Sequence, residues 1–203
     1  DINENALVEV VRRNRSRGIV TNRFRTFCFD IRSPGLESFL KQFGSIDLVL
    51  NFAAIKHVRS ERDIFSATEM ISVNVLGMLR LKLAIEELGS LRGKLFSVST
   101  DKASDPVNLM GATKNLMERV LFSQPNVLVS SARFANVAFS AGSLLEGFQR
   151  RVSEGQPLSC PVDINRFFIS SREAARLCVI GGLDSDSVGI LVPNEKKIGG
   201  AKS

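Results

Sequence analysis

The stretch KLFSVSTDKASDPVNLMGATKNLMER, residues 94–119, decides the fold of this chain. It begins with an apolar run typical of a strand, passes through a polar turn, and ends in a segment with the pattern of a helix. The turn carries a hydroxyl, an acid and an amine on consecutive residues, Thr100, Asp101 and Lys102, and Lys114 follows on the helix. An acid and an amine at the end of a strand indicate chemistry more than packing.

Strands and helices alternate on both sides of this stretch. The predicted elements are helix 5–13, strand 26–31, helix 35–43, strand 46–54, helix 71–88 with Gly89 as its stop, strand 95–99, helix 109–122, strand 127–132, helix 144–152 and helix 171–180. The run 46–54 is almost continuously apolar, which is typical of a central strand buried on both faces. In helix 109–122, the residues Leu109, Ala112, Leu116 and Val120 share one face. This alternation predicts βαβ units in a doubly wound parallel sheet.

Two of the predicted strands end in residues suited to a binding site. Parallel sheets of this kind bind ligands beyond the carboxyl ends of their strands, near the point where the strand order reverses. The strand 46–54 ends in Ala53 and Ala54, and the strand 95–99 is followed by Thr100, Asp101 and Lys102. Both strand ends are therefore expected at one crevice.

Composition narrows the class of protein further. The chain has 203 residues and a formal net charge of +6. No apolar run approaches the roughly 20 residues that a membrane span needs. Cys28, Cys160 and Cys178 fit neither a disulfide framework nor a zinc spacing, so we expect core or strand cysteines in a reducing cytosol and no metal site. The basic charge is not interleaved with aromatic residues, so we expect no nucleic-acid partner; it suits a solvated basic helix end or an anionic substrate such as a diphosphate.

The glycine-rich turn that opens a dinucleotide-binding fold has no counterpart in the sequence. Such a turn follows the first strand and lets backbone amides approach a pyrophosphate. The chain is expected to begin where the second strand ends, with Asp1 at the position that contacts the cofactor ribose. A piece without the turn is expected to bind a dinucleotide poorly by itself.

Six segments together resemble one known family. They are NFAAIKHV (51–58), VNVLG (73–77), STDKASDP (99–106), MGATK (110–114), RFANVAFSAGS (133–143) and NRFFISSREAARL (165–177). They resemble the extended short-chain dehydrogenase/reductases, and more narrowly the UDP-N-acetylglucosamine 4,6-dehydratases and related nucleotide-sugar epimerases of bacterial polysaccharide biosynthesis. The combination is far more specific than any one segment.

The resemblance implies a fold, an organisation and an activity. It implies a Rossmann-like dinucleotide-binding domain over residues 1–139 and a partial nucleotide-sugar-binding region over residues 140–203. The cofactor would be NAD or NADP, and the substrate a UDP-sugar. The sugar would be oxidised at C4, lose water across C5 and C6, and receive the hydride back at C6. A cytoplasmic homo-oligomer without a membrane segment in this part of the chain would be the expected form.

Catalytic roles follow from the same resemblance. Asp101 would be the acid for the departing C6 hydroxyl, and Lys102 the base for the C5 proton. Asp101 would have to be protonated near neutrality and Lys102 partly neutral, and burial in a closed crevice favours the neutral form of both. Thr100 would hydrogen-bond the C4 oxygen, and Lys114 would bind the nicotinamide ribose.

Met110 departs from the superfamily pattern. It stands four residues before Lys114, where most of the superfamily has a tyrosine, and the chain contains no tyrosine. Methionine cannot transfer a proton, so Asp101, Lys102, Lys114 or a water would have to take the C4 hydroxyl proton.

The remaining site residues are expected to hold the cofactor and the substrate. Toward the cofactor the resemblance implies Asp1, Asp30, Ile31, Ala53, Ala54, Lys56, Asn74, Ser99 and Lys114. Toward the UDP-sugar it implies Lys56, His57, Asn136 and Arg166. A positioning or structural role is favoured for His57, while a satisfied core amide for Asn74 and a surface salt bridge for Arg166 stay open. Ala141 stands where the family often has arginine.

Two other functions remain open. A UDP-sugar C4 or C5 epimerase would share the ketone intermediate and differ in the fate of C6. A non-catalytic dinucleotide-binding module would account for Met110 and Ala141.

Overall fold

A parallel sheet organises the residues that the computed structural model describes, which are 1–19, 24–123, 126–159, 166–184 and 188–194. Its strands are β1 (Ile46–Asn51), β2 (Leu91–Thr100), β3 (Leu128–Phe134) and β6 (Gly189–Leu191), side by side in the order β1-β2-β3-β6. All three neighbouring pairs are parallel. A separate short parallel ladder joins β4 (Asn136–Val137) to β5 (Phe168–Ile169). The predicted α/β class with a parallel sheet is confirmed.

From β1 to β3, helices and strands alternate along the described chain. The helices are α1 (Glu4–Ser16), α2 (Leu36–Lys41), α3 (Ile64–Ile71), α4 (Gly77–Leu88), α5 (Leu109–Phe122), α6 (Leu144–Ser153) and α7 (Ser171–Leu183). A π-helical segment, Ser72–Leu76, joins α3 to α4. Gly89 ends α4 in the left-handed conformation at φ 56°, as its predicted role as a helix stop requires. Short 3-10 turns follow β1 and β2, at Val58–Arg62 and Asp101–Ala103.

Apolar side chains fill both faces of the sheet. On one face, Leu95 of β2 packs with Met78, Ile85 and Met117 of α4 and α5, and each of these side chains is almost fully buried. On the other face, Phe96 packs with Cys178 of α7. The helix α7 lies so close that a Cβ on its Gly181 would be 2.7 Å from the Phe96 ring. The central strand β2 is therefore covered on both sides, which holds its carboxyl end rigidly.

Three sequence predictions about local structure are wrong. Residues 26–31 form no strand; Phe27 and Phe29 exchange backbone hydrogen bonds with Asp1 instead of joining the sheet. β1 is the edge strand of the described sheet, and Leu50 on it is 41% exposed. On α5 the sheet covers the face that carries Met110, Lys114 and Met117, whereas Leu116 of the predicted face is 48% exposed. Packing against a neighbour, which periodicity alone does not identify, decides each case.

One helix of the described chain, Ile64–Leu88, is long and apolar enough by length and composition to cross a membrane. It includes α3, the π-helical segment and α4. Its Met78, Leu81 and Ile85 face the sheet and are at most 5% exposed. In this fold the helix covers the sheet.

The cysteines of the described chain lie in different environments. Cys178 is buried on α7, and burial raises the pKa of its thiol, whereas Cys28 is exposed outside any strand, so the expectation of a core or strand position is wrong for it. Cys160 lies outside the described residues. α7 packs on the main sheet and β6 is one of its strands. The domain division at residues 139 and 140 stays a prediction.

Candidate active site

A cavity of about 550 Å³ lies at the carboxyl end of the sheet. Its wall is built from the residues that follow β1, β2 and β3, together with one side of α5 and the segment that leads into α6. Among its lining residues are the predicted Ala54, Lys56, His57, Ser99, Thr100, Lys102, Met110, Lys114, Asn136 and Arg166. The parallel strands therefore bring these ten residues, which are up to 112 positions apart in sequence, to one place.

The turn after β2 is held together by the Asp101 carboxylate. Its Oδ1 accepts hydrogen bonds from Thr100 Oγ1 at 2.8 Å, from the Lys102 backbone N–H at 2.9 Å and from Lys102 Nζ at 3.3 Å. Within the described chain, Asp101 Oδ2 has no hydrogen-bond partner. Oδ1 thus shapes the turn, while Oδ2 is the oxygen left to meet another group.

Asp101 and Lys102 differ from the prediction in their surroundings. Their side chains are 48% and 30% exposed, and Lys102 lines the cavity whereas Asp101 does not. The expected burial of both groups is therefore absent from this structure, because the turn lies beyond the carboxyl end of β2.

α5 carries Met110 and Lys114 into the wall of the cavity. The Asn108 side chain caps its N-terminus by accepting a hydrogen bond from the Gly111 N–H at 2.9 Å. Glu61, from the turn after β1, accepts from the Leu109 N–H at 2.8 Å. A Cβ on Gly111 would stand 2.6 Å from the Lys102 carbonyl oxygen. Only glycine at this position lets the helix approach the reactive turn so closely.

Lys114 is a buried lysine at the cavity wall. It is 5% exposed, and its Nζ donates a hydrogen bond to the Val98 carbonyl oxygen at 2.9 Å. Burial lowers the pKa of Lys114 to about 8, and the nearby Glu118 carboxylate opposes this by raising it. A lysine with such a pKa retains a substantial neutral fraction just above neutrality, so it can hold or release a proton there.

Ser99 and Met110 complete the wall around Lys114. The Ser99 Oγ is buried and has no hydrogen-bond partner in the described chain. An orphaned hydroxyl that lines a cavity is suited to a bound polar group, because leaving it unpaired is costly. Met110 lines the same cavity and is 6% exposed. Its apolar side chain supplies no proton-transferring group to this part of the wall.

Lys56 and His57 hold the segment that borders the cavity on the far side. Lys56 Nζ donates to the Ala141 carbonyl oxygen at 2.8 Å. Gly142, at φ +72°, lies against the His57 ring, so that a Cβ there would be 2.8 Å from His57 Cε1. In the same segment Phe139 has φ 55°, which is unusual for a residue with a side chain. The positioning or structural role of His57 stays a prediction.

Asn136 and Arg166 line the cavity from the side of α6. Asn136 begins β4, and the β4–β5 ladder pairs it with Phe168, two residues beyond Arg166. Arg166 is exposed. No salt bridge of Arg166 is found within the described residues, so its guanidinium is available to an anionic group.

A second cavity, of about 450 Å³, adjoins the first and shares Phe52 and Ala54 with it. The predicted residues Asp1, Asp30, Ile31, Ala53 and Ala54 line it. Arg32 binds both oxygens of the Asp30 carboxylate and also contacts Glu69 at 2.6 Å. These hydrogen bonds lower the pKa of Asp30 and raise that of Arg32. Asp30 is therefore an anion at the wall of this cavity.

Asn74 lies behind the two cavities instead of lining either one. It is 1% exposed in the π-helical segment, accepts from the Ile55 N–H at 2.9 Å, and donates to the Ile55 carbonyl and to Thr113 Oγ1. The side chain thus ties the segment after β1 to α5. Both the bracing role and the satisfied core amide describe it, and direct cofactor contact stays a prediction.

Sequence reasoning missed the residues that frame the site. Phe52, Phe134 and Ser140 line the first cavity, and Glu118 and Arg133 lie behind Lys114. An acid four residues after Lys114, on the buried face of α5, was the available signal for Glu118. Phe52 and Phe134 gave no comparable signal, because apolar residues near strand ends are ordinary.

Comparison with known proteins places the chain in a family. Residues 1–199 match the sequence family described as "Polysaccharide biosynthesis protein". The chain belongs to that family, which confirms the resemblance drawn from its motifs.

Relatives of known sequence carry several different names. The chain is 34% identical over 87% of its length to an uncharacterized membrane protein of Methanocaldococcus jannaschii, of which it covers 52%. It is 30% identical to an inverting UDP-N-acetylglucosamine 4,6-dehydratase of Campylobacter jejuni, over 77% of the chain and 47% of that protein. A UDP-glucose 4-epimerase of Rickettsia akari is 29% identical over 73% of the chain and 44% of that protein. The chain thus spans about half the length of these relatives.

Solved structures support the fold. Pen from Bacillus thuringiensis superposes with a TM-score of 0.79 and 23% identity, over 95% of this chain and 58% of that one. The Bordetella bronchiseptica enzyme WbmG, solved with NAD and UDP, superposes with a TM-score of 0.72 and 19% identity, over 89% and 60% of the two chains.

Proposed function

We propose that this chain is part of a nucleotide-sugar 4,6-dehydratase that acts on UDP-N-acetylglucosamine or a similar UDP-sugar in polysaccharide biosynthesis. The observation that carries the proposal is the single cavity in which Thr100, Lys102, Met110 and Lys114 meet the cationic Lys56 and Arg166. Family membership and the similarity to the Campylobacter jejuni dehydratase support it.

The residues present fit a nicotinamide dinucleotide as cofactor, either NAD or NADP. Two adjoining cavities match the two halves of such a molecule, and the small side chain of Ala54 lines both. The orphaned Ser99 Oγ and the Lys114 side chain would hold the nicotinamide half, and Asp1, Asp30 and Ile31 the adenosine half. When bound, the cofactor would accept a hydride from the sugar and return it. WbmG, of the same fold, holds NAD and UDP.

The protein's own groups would move the protons. Asp101 would protonate the departing C6 hydroxyl through Oδ2, the oxygen that the turn leaves unbonded, and Lys102 would take the C5 proton. Thr100 would hydrogen-bond the C4 oxygen, after exchanging its present bond to Asp101. Asn136, Arg166, Lys56 and His57 would face the UDP-sugar from the opposite wall.

Lys114 is the proposed acceptor of the C4 hydroxyl proton. Met110 cannot take it, and Lys114 lies on the same helical face, one turn further along. Because burial lowers the pKa of Lys114 to about 8, a neutral amine is accessible there near physiological pH. A bound water between the C4 hydroxyl and the Lys114 amine could relay the proton.

The test is the mass of the product. The full-length protein is incubated with UDP-N-acetylglucosamine and catalytic NAD or NADP, and the nucleotide sugar is analysed by mass spectrometry. Loss of one water is the expected result. Unchanged substrate under conditions where both ligands bind would contradict the proposal.

A UDP-sugar epimerase is the second candidate, favoured by the 29% identity to the Rickettsia akari epimerase. A product of unchanged mass and altered stereochemistry would identify it. A non-catalytic dinucleotide-binding module, suggested by Met110 and Ala141, would bind NAD or NADP without any turnover. The cytoplasmic location and the homo-oligomer stay predictions.

A further inference from the structure

A buried ion pair lies directly behind Lys114. Arg133 of β3 donates from Nε to Glu118 Oε1 at 2.8 Å and from Nη2 to Glu118 Oε2, so the pair is bidentate. The Glu118 side chain is 5% exposed and that of Arg133 is 21% exposed. Neither residue lines either cavity.

The register of the β2–β3 ladder brings this ion pair next to the hydrogen bond that Lys114 donates to Val98. Arg133 stands opposite Ser99 in the β2–β3 ladder, and the adjacent residue Val98 supplies the carbonyl that Lys114 binds. Glu118 follows Lys114 by one helical turn on the same face of α5. Lysine, glutamate and arginine thus form a row of alternating charge between the helix and the sheet.

Stability alone is a weak reason for such a pair. Removing two charges from water costs several kcal/mol per ion in general, and apolar side chains of similar size often serve a core as well or better. The fork of Arg133 instead gives the Glu118 carboxylate one fixed position. A fixed buried anion acts strongly on a neighbouring cation, because water screens it little.

We propose that Glu118, held in place by Arg133, is a positioning residue for Lys114: its carboxylate directs the amine at the Val98 carbonyl and stabilises the ammonium that forms when Lys114 takes up a proton. The inference rests on the proposed function only for what Lys114 does in catalysis. The electrostatic coupling itself is a property of this chain.

Several charged or titratable groups surround Lys114 from other elements. Lys102 from the turn after β2, Lys56 and His57 after β1, and Arg166 before β5 line the same cavity, with Asp101 beside Lys102. Other acids on elements that pack against α5 are engaged elsewhere, Glu61 with the Leu109 N–H, Glu69 with Arg32 and Glu86 with Lys82. Since the cavity's other charges are mostly positive, Glu118 is the anion that opposes the effect of burial on Lys114.

The influence of Glu118 on the pKa of Lys114 predicts what its removal should do. Glu118 raises the pKa of Lys114, so its loss lowers that pKa further below about 8. For Glu118→Gln we expect the titration midpoint of Lys114 to fall by about one pH unit, since neighbouring opposite charges shift titrations by about 1–3 units. The limb of the kcat–pH profile that belongs to Lys114 should move to lower pH with it.

The midpoint can be measured without cofactor or substrate. Lysine side chains labelled with carbon-13 are titrated by NMR in the full-length protein, and Lys114→Met identifies the Lys114 signal. Glu118→Asp, which retains the charge, should restore most of the midpoint. Glu86→Gln, which removes an acid paired with Lys82 on α4, is the matched control and should leave the midpoint unchanged.

A second variant covers the case in which Glu118→Gln does not fold. Glu118→Leu with Arg133→Met replaces the pair by apolar side chains of similar size, which buried sites generally tolerate. It should also lower the midpoint, because Glu118 supplies the raising effect. A Lys114 midpoint unmoved in the folded variant would overturn the inference. A midpoint that moves while the kcat–pH profile stays in place would support the coupling and overturn the proposed catalytic use of Lys114.

Discussion

Lys102 is the residue on which the proposed chemistry depends most directly. It lines the cavity beside Thr100 and Lys114, and its ammonium stands 3.3 Å from Asp101 Oδ1. Lys102→Met removes the proposed base while keeping the length of the side chain. We expect kcat to fall by about 10²–10⁴-fold, the usual worth of general acid–base catalysis, with little change in UDP-sugar binding.

The measurement for Lys102 compares initial rates of water loss and the dissociation constant of UDP. Lys41→Met is the control and should keep the parent rate, because Lys41 is an exposed residue of α2 that lines neither cavity. A Lys102→Met variant as active as the parent protein would reject the assigned role.

Lys114 illustrates how a site residue can cost stability. Burial lowers its pKa from 10.5 to about 8, so between these values the unfolded chain binds a proton that the native protein does not. By linkage, the stability contribution of Lys114 rises with pH from about 8 to 10.5 and is at its lowest, and constant, below about 8. We expect Lys114→Met to raise the free energy of unfolding near pH 7 by up to about 3 kcal/mol.

Urea unfolding at pH 7 and at pH 10 tests this second prediction. The gain from Lys114→Met should shrink at pH 10, while catalysis is lost at both values. A variant that is less stable than the parent at pH 7 would show that the Val98 hydrogen bond outweighs the cost of burying the amine.

At the scale of elements, α5 is positioned by close contact with the turn after β2. Gly111 makes the contact possible, because a Cβ there would be 2.6 Å from a backbone oxygen of Lys102 that cannot move aside. Gly111→Ala should push the helix and the turn apart. We expect a loss of about 1–3 kcal/mol of stability and a kcat reduced about 10²-fold, the usual effect of misplacing a site by 1 Å.

The matched control lies in another helix. Gly147 of α6 has nothing within 4 Å of an added Cβ, so Gly147→Ala should keep the activity and stabilise the helix by up to about 1 kcal/mol. Thermal unfolding and initial rates of both variants make the comparison. Equal behaviour of the two alanine variants would contradict the close-packing argument.

Element prediction succeeded where a pattern is local. Helix α5 was predicted over residues 109–122 from its apolar period, and the structure has the same bounds. In the structure the Asn108 side chain caps its start. Its buried face was predicted wrongly, because Leu116 and the sheet-facing Met117 are equally apolar and only the position of the sheet distinguishes them. The edge position of β1 was not predicted either, because the strand's apolar pattern does not show which strands lie beside it.

At the scale of the whole molecule, several cations line the cavity in which an anionic substrate would bind. The first cavity is lined by Lys56, Lys102, Lys114 and Arg166, and no carboxylate from the described part of the chain lines it. The net charge of the chain is +6. Raising the salt from about 0.1 M to about 1 M shortens the Debye length from about 10 Å to about 3 Å. We expect the dissociation constant of UDP to increase several-fold over that range.

Calorimetric titration at the two salt concentrations tests the expectation. Uridine, which has the same base and sugar without phosphates, is the control and should bind with little dependence on salt. Equal salt dependence of uridine and UDP would place the diphosphate away from these cations.

The sequence by itself determined the alternation of strands and helices from β1 to β3, the reactive turn at Thr100–Lys102 and the family, because local periodicity and contiguous motifs carry that information. It also identified Lys114 and Met110 as neighbours, since helical spacing is a local rule. Only the tertiary structure decided which side chains are buried. It exposed Asp101 and Lys102, buried Lys114 beside Glu118 and Arg133, and left the Ser99 hydroxyl without a partner. Burial depends on the packing of residues distant in sequence, and it sets the electrostatics on which the proposed chemistry rests.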